Sequence, residues 1–299
     1  MDRFSSWDDV PAHLATKTQL SKDGLKLAPG QTPVGEKVGG YGPYDLYDRG
    51  EAVPKRTMTE AQKAAALRNI QKAQDALHCI DCGRYGGTYR ERLDKNGRCP
   101  SCRLRHHIAR EGERAKKILE ELAASDDWLI VDTETTGLGE DAEVVQIGII
   151  DAGGNVIMDQ LIRPLGEIEP EATAVHGLDA AAVSDAPTWA GIYPRVAQVM
   201  NGRKVLAYNA DFDARVINQS CFLSDVSPIS SKWFCIMELF AAYVGSWSRY
   251  YDHFKYYSLV AAVNMMKLHP LPHEDGRYAP HSATGDAWLT WRLVKAFAD

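Results

Sequence analysis

The stretch WLIVDTETTGLG at residues 128–139 sets the tightest condition on how this chain folds. Trp128 to Val131 read as a buried strand that runs straight into two carboxylates, Asp132 and Glu134. Side chains alternate faces along a strand, so positions 132 and 134 point the same way. Two like charges side by side repel, and desolvating them costs on the order of several kcal/mol. A fold keeps such a pair when a cation compensates it or when it does proton chemistry.

From Asp126 onward strands alternate with helices. EVVQIGIID and GNVIMDQLI follow as two further strands, with residues 151–155 as the tight turn between them. Then come a helix at APTWAGIYPRVAQVM, a buried strand at RKVLAYN, a helix at DFDARVINQSCFL, a short strand at SKWFCI, and a last helix opened by Ser282. Antiparallel strands first and strand–helix alternation later predict an α/β domain over residues 125–299, a mixed sheet with helices on its faces. Asp213 falls in the first turn of one helix and Asp286 in the first turn of the last, with His281 five residues before it. Strand and helix ends of an α/β sheet thus offer four carboxylates to one site. Hard oxygen ligands of this kind suit Mg²⁺ or Mn²⁺.

Upstream the chemistry is sulfur. Cys79-Ile-Asp-Cys82 and Cys99-Pro-Ser-Cys102 are two CxxC pairs with residues 83–98 between them. Each CxxC turn aims both sulfurs at one centre, and the spacing is that of a four-cysteine zinc site. With four thiolates and no open position, this zinc is structural. Residues 57–124 are expected to form a helix–zinc ribbon–helix module, with helices at 59–77 and 104–124. The first has a capping box, Thr59 with Gln62, and an inward stripe through Leu67, Ile70 and Leu77. Cys221 and Cys235 sit in apolar contexts and read as buried thiols. Residues 1–56 read as an irregular segment with short helices capped by Ser6 or Asp8. Tyr41, Tyr44 and Tyr47 lie in its Gly/Pro-rich part, and the segment is a candidate surface for a protein partner.

Charge is distributed unevenly. Residues 84–117 hold 11 Lys or Arg against 4 Asp or Glu, while the whole chain carries −6. A basic block on an acidic protein suits a polyanion such as nucleic acid, or equally a solvated helix face. The first thirty residues lack the apolar core of a signal peptide, and no run approaches the ~18 apolar residues of a membrane span. The expectation is a cytoplasmic protein with no membrane partner.

Taken together, DxE ending a first strand, NADFD after a later strand, HSATGD opening the last helix, and VHGLD at 175–179 resemble the DEDDh exonucleases. This RNase H-like family includes proofreading subunits, RNase T and oligoribonuclease, and the resemblance covers residues 126–299. It implies an RNase H-like fold and 3′→5′ hydrolysis of terminal phosphodiesters of DNA or RNA, on single-stranded 3′ ends. It further implies that Asp132, Glu134, Asp213 and Asp286 hold two Mg²⁺ or Mn²⁺ ions, with His281 as general base. By the same resemblance Thr135, Thr136, Gly137, Leu138, His176 and Asn209 are candidate substrate contacts. Leu138 falls where the family wedges an apolar residue between the last bases, and Asp211 reads as a helix cap. The sister group carries Tyr where this chain has Ser282. Residues 246–257, SWSRYYDHFKYY, depart from the family pattern; their rings suit either base stacking or packing on the core. A second reading is a zinc-ribbon binding or scaffold protein that grips strand ends without turnover.

Overall fold

The computed structural model describes residues 1–40, 42–86, 92–268 and 281–298. Residues 1–56, anticipated as irregular, fold as small sheets. Their elements are β1 (Asp2–Phe4), β2 (Leu14–Ala15), α1 (Lys17–Lys22), β3 (Leu25–Lys26), β4 (Gly35–Gly39), β5 (Gly42–Asp48) and β6 (Val53–Pro54). β4 and β5 form an antiparallel hairpin at the centre of the order β1-β4-β5-β2, and β3 pairs with β6. One short helix forms rather than two; Thr16, not Ser6 or Asp8, caps it, in a box with Gln19. Ala15, Leu20 and Tyr47 make a small core. These residues are far apart in the sequence, so local composition cannot reveal that they meet. Tyr44 is exposed beside Trp7, and Tyr41 lies outside the described residues.

α2 (Glu60–Asp75) carries the anticipated capping box. Its stripe does not face inward: Leu67, Ile70 and the following Leu77 are exposed, and no residue of the helix is buried. The period of the pattern was sound, but period alone cannot say that a partner face exists.

The chain divides into units Met1–Arg98 and Cys99–Asp299. The 57–124 module was expected to end in its own helix, yet that helix, α3 (Pro100–Ala124), groups with the C-terminal unit. Leu119, Leu122 and Ala123 bury against Trp128, Ile130 and Phe240. The Trp128 indole Nε1–H donates to the Leu122 carbonyl at 2.7 Å. α3 begins at Pro100 because Cys99 is its N-cap and proline fits the first helical position.

After α3 follow β7 (Trp128–Thr135), β8 (Val144–Asp151), β9 (Val156–Leu161), α4 (Pro170–His176), α5 (Trp189–Met200), β10 (Lys204–Ala207) and α6 (Ala210–Leu223). The chain ends with β11 (Lys232–Cys235), α7 (Ile236–Val244), β12 (Trp247–Ser248), β13 (His253–Phe254), α8 (Leu259–Met265) and α9 (Ala283–Lys295). The main sheet has the order β11-β10-β7-β8-β9. β7, β8 and β9 are antiparallel neighbours, whereas β10 and β11 run parallel to β7. This is the mixed α/β sheet flanked by helices that the alternation predicts. Leu129 and Val131 bury on the face covered by α5 and α6, while Trp128 and Ile130 bury on the face of α3, α7 and α9. Among the described residues no helix is long and apolar enough to cross a membrane.

Candidate active site

Asp132 and Glu134 continue the face of Trp128 and Ile130, so they emerge at the carboxyl end of β7 on the side that α9 covers. There Asp132, Glu134 and Asp286 each place a carboxylate oxygen within 4.8 Å of the others. Thr133 points to the opposite face, toward α6, and its hydroxyl donates to Asp213 Oδ1 at 2.8 Å. Because β10 runs parallel to β7, the first turn of α6 starts at the same edge of the sheet and brings Asp213 there, buried. Asp211 is not the cap: Asn209 is the N-cap of α6, without a side-chain cap bond, and it is exposed at this edge.

The electrostatics of the cluster are unfavourable by construction. Burial raises the Asp132 carboxyl well above the usual carboxylate range, and Asp213, Asp286 and Glu134 add to the shift. Burial, then the charges of Asp286 and Asp213, push Glu134 up to about 8. Asp213 is pushed to about 7 by burial, against which the Thr133 hydrogen bond works. Burial also raises Asp286, opposed by the nearby charge of His281. Four carboxyls that disfavour their ionised form when crowded together are a donor set in want of a cation. Their hard oxygens fit Mg²⁺ or Mn²⁺. His281 is exposed and sits one residue before Ser282, the N-cap of α9, whose hydroxyl accepts from the Gly285 N–H. Its backbone is left-handed, φ 52°, an uncommon choice for a residue with a side chain.

The loop after β7 is pinned from several directions. Thr135 Oγ1 donates to the Gly137 carbonyl at 2.8 Å, and Thr136 Oγ1 accepts from the Glu143 N–H at 2.9 Å. The space that a Gly137 side chain would take is filled by the Glu169 carboxylate, within 2.5 Å of an added Cβ. His176 uses both ring nitrogens inside the protein. Nδ1 accepts from the Leu178 N–H at 3.0 Å, which leaves the proton on Nε2 to donate to the Thr135 carbonyl at 3.1 Å. Burial lowers its pKa, in keeping with a neutral ring. His176 therefore ties the VHGLD turn to the end of β7. A pocket of about 290 Å³ opens here, lined in part by Glu134, Gly137, Leu138, Val175, His176 and Phe212. Leu138 is 77% exposed at its rim. Val175 and Phe212 belong to it by spatial proximity alone, and the sequence reading missed them.

The Exonuclease family profile matches residues 129–294, more than half of the chain and a range that encloses Asp132, Glu134, Asp213, His281 and Asp286. The chain belongs to the exonuclease family. An uncharacterized exonuclease CP81 of Escherichia phage 186 is 36% identical over 192 residues, covering 62% of this chain and 93% of that protein. Exodeoxyribonuclease 10 of Escherichia coli K12 is 33% identical over 113 residues, and the match spans 37% of this chain but 45% of that enzyme. A solved structure of Exonuclease X in complex with 5′ overhanging duplex DNA aligns at a TM-score of 0.42 and 28% identity, over 57% of this chain and 90% of that one.

In this exonuclease the last helix reaches the cluster because β8 has no side chain at residue 148. A Cβ on Gly148 would lie 2.5 Å from the Thr284 nitrogen and 2.6 Å from the Ala283 carbonyl carbon, both main-chain atoms that cannot swing aside. The neighbouring Gln146 Oε1 accepts from the Ala283 N–H at 3.2 Å. A glycine inside a strand pattern is a sequence signal for such close approach. Gly148→Ala is expected to push the start of α9 off the sheet, lowering the melting temperature and cutting turnover by roughly 10–10²-fold through misplacement of Asp286. Steady-state rates beside a thermal melt check this, and unchanged values for both exclude the packing role.

The four cysteines of the exonuclease converge. The sulfurs of Cys79, Cys82, Cys99 and Cys102 lie within 4.8 Å of one another, and all but Cys82 are buried. Around them Ile80 N–H donates to the Gly97 carbonyl and Arg98 Nε pairs with Asp81 at 3.0 Å. Cys99 is the N-cap of α3 and Cys102 lies in its first turn. Cys221 is buried, as expected, and accepts from the Trp189 indole at 3.4 Å; Cys235 is only half-buried.

Proposed function

We propose that this exonuclease removes nucleotides from the 3′ ends of single-stranded DNA, using two Mg²⁺ or Mn²⁺ ions held by Asp132, Glu134, Asp213 and Asp286. The observation that carries the reading is the crowding of carboxylates at one edge of the sheet, with half-buried Asp132, Glu134 and Asp286 within 4.8 Å and Asp213 buried beside them. Held there, the ions supply the Lewis acidity that acidifies the attacking water and stabilises the leaving 3′ oxygen. His281, near enough to bear on Asp286, takes the proton from that water as general base when its ring is neutral. The terminal nucleotide enters the pocket beside Leu138 and His176, and the main chain at Thr135–Gly137, held by internal hydrogen bonds, meets it without rearranging. Asn209 flanks the entry. The name of the relative Exodeoxyribonuclease 10 favours DNA.

The test incubates purified protein with 5′-labelled single-stranded DNA and RNA in Mn²⁺ or EDTA. A ladder shortening from the 3′ end on DNA with Mn²⁺ is expected. Shortening from the 5′ end, or activity in EDTA, overturns the reading, and equal rates on RNA overturn its DNA preference.

The cysteine cluster is read as one structural Zn²⁺. Elemental analysis is expected to find one zinc per chain. Cys99→Ser is expected to release it and expose the loop around residues 79–102 to protease, while exonuclease turnover persists because α3 is anchored farther on, at Leu119 and Leu122. Loss of turnover in step with zinc contradicts the structural role. Within the basic block of residues 84–117, Arg92 and Arg103 are candidates for phosphate contact, and Arg90 lies outside the described residues.

A further inference from the structure

Residues 246–257 divide their rings between two tasks. Trp247 and Phe254 are register partners in the β12–β13 hairpin and meet at 5.0 Å. Both turn toward α3, where the His107 ring lies 5.4 Å from Trp247 and stacks at 22° on Phe254. These two are the anchors. Tyr257 packs on the core beside Phe240, whereas Tyr250, Tyr251 and Tyr256 are exposed. Tyr251, His253 and Tyr256 form a continuous stack, with centroids 5.5 and 5.0 Å apart and planes within 21°. Tyr250 stands edge-on to Tyr251 at 4.7 Å. Tyr250 is 87% and Tyr251 67% exposed, unusual for rings with no function.

This stack is rooted at the active edge of the sheet. The Tyr208 hydroxyl, at the end of β10, donates to the carbonyl of Tyr257 at 2.7 Å, and Tyr208 directly precedes Asn209 and the first turn of α6. Tyr256, at the inner end of the stack, feels the charges of Glu238 and of Asp211, two residues from Asp213. Arg249, next to Tyr250, and Lys255, next to Tyr256, are both exposed, with one acid, Asp252, between them in the chain. A shallow pocket beside the stack is lined by Trp247, Ser248, Tyr251, His253, Lys255 and Tyr256.

We propose that the Tyr250–Tyr251 end of this ring stack is a base-stacking platform for the single strand upstream of the 3′ end, with Arg249 and Lys255 against its phosphates. The inference rests on the exonuclease reading for the direction of the strand. The occupant follows from the chemistry. Flat ring faces of this kind accept another flat face, and every base has one, so the platform needs no sequence. Two cations beside the rings suit a polyanion. Its root beside Asn209 makes the platform continuous with the entry to the carboxylate cluster.

The test compares kcat/KM on oligothymidylates of about 4 and about 12 nucleotides, where the longer strand alone spans both sites. Wild type is expected to prefer the longer strand. In Tyr250→Ala/Tyr251→Ala that preference should fall about tenfold, the effect of losing one stacked base. Tyr250→Phe/Tyr251→Phe keeps the rings and should keep the preference. Abasic sites in the upstream half of the longer strand should abolish the preference in wild type and change nothing further in the alanine variant. A length preference equal in all three proteins overturns the platform and leaves the surface to a protein ligand. Failure of the exonuclease reading looks different: wild type then shortens neither strand, while anisotropy with the same labelled strands still reports whether Tyr250 and Tyr251 bind them.

Discussion

Asp132→Asn is expected to reduce exonuclease turnover to background and, in the same protein, to raise the melting temperature of the metal-free fold. The two effects have one cause. Asp132 is raised by burial and by three neighbouring carboxylates, so its charge is tolerated only when cations sit among them. Asparagine keeps the shape, removes the charge and removes the ligand. Glu134→Gln should act in the same direction. The pH dependence follows from the sign of the shifts. A carboxyl whose folded pKa lies above its unfolded value, about 4, contributes stability that is complete below the unfolded pKa and is lost as pH rises through the folded one. With Glu134 near 8 and Asp213 near 7, the metal-free wild type should melt at progressively lower temperature from about pH 5 to pH 8. The Asp132→Asn protein should show a shallower decline. Mn²⁺ should stabilise the wild type more at pH 8 than at pH 6, because binding must displace fewer protons. Thermal melts at both pH values, with EDTA and with Mn²⁺, report all of this. A wild-type melting temperature that rises with pH in EDTA would mean the carboxylates are not crowded as described.

The cluster was readable before the fold because its carboxylates lie on strong local signals. A buried strand fixes the face of Asp132 and Glu134, and helix starts fix Asp213 and Asp286, with Ser282 as the actual cap of α9. What joins them was not readable. Thr133 holding Asp213, Gln146 holding Ala283 and the bare backbone of Gly148 beneath α9 are contacts between segments 80 or more residues apart. His176 shows the same limit: its place in the VHGLD turn was visible, but not that both of its nitrogens are spent on holding the loop. Amphipathic period had different outcomes in the two helices around the cysteines. The stripe of α2 is exposed, whereas that of α3 belongs to the exonuclease core. Periodicity says that a helix has an apolar side and leaves open what lies against it. The insertion at 246–257 offered two readings of its rings, and the structure packs Trp247, Phe254 and Tyr257 on neighbouring elements while it leaves Tyr250, Tyr251 and Tyr256 exposed.

Loss of the general base should cost less than loss of a ligand, and in a distinguishable way. His281→Ala is expected to slow the chemical step roughly 10²–10⁴-fold. His281 ligates no ion in this reading, so Mn²⁺ affinity should hold, whereas Asp286→Asn should weaken it together with turnover. His281 also occupies a left-handed backbone position directly before the cap of α9, so the competing account of its loss is a backbone effect on Asp286. Asparagine separates the two. It tolerates the left-handed conformation better than alanine and cannot take a proton at neutral pH. If proton transfer is the role, His281→Asn and His281→Ala should slow single-turnover cleavage equally at saturating Mn²⁺, with matching Mn²⁺ titrations. If His281 serves only the turn, asparagine should restore rate and metal affinity and alanine should not. An asparagine variant near wild-type rate would remove the general-base assignment and leave catalysis to the carboxylates and their ions.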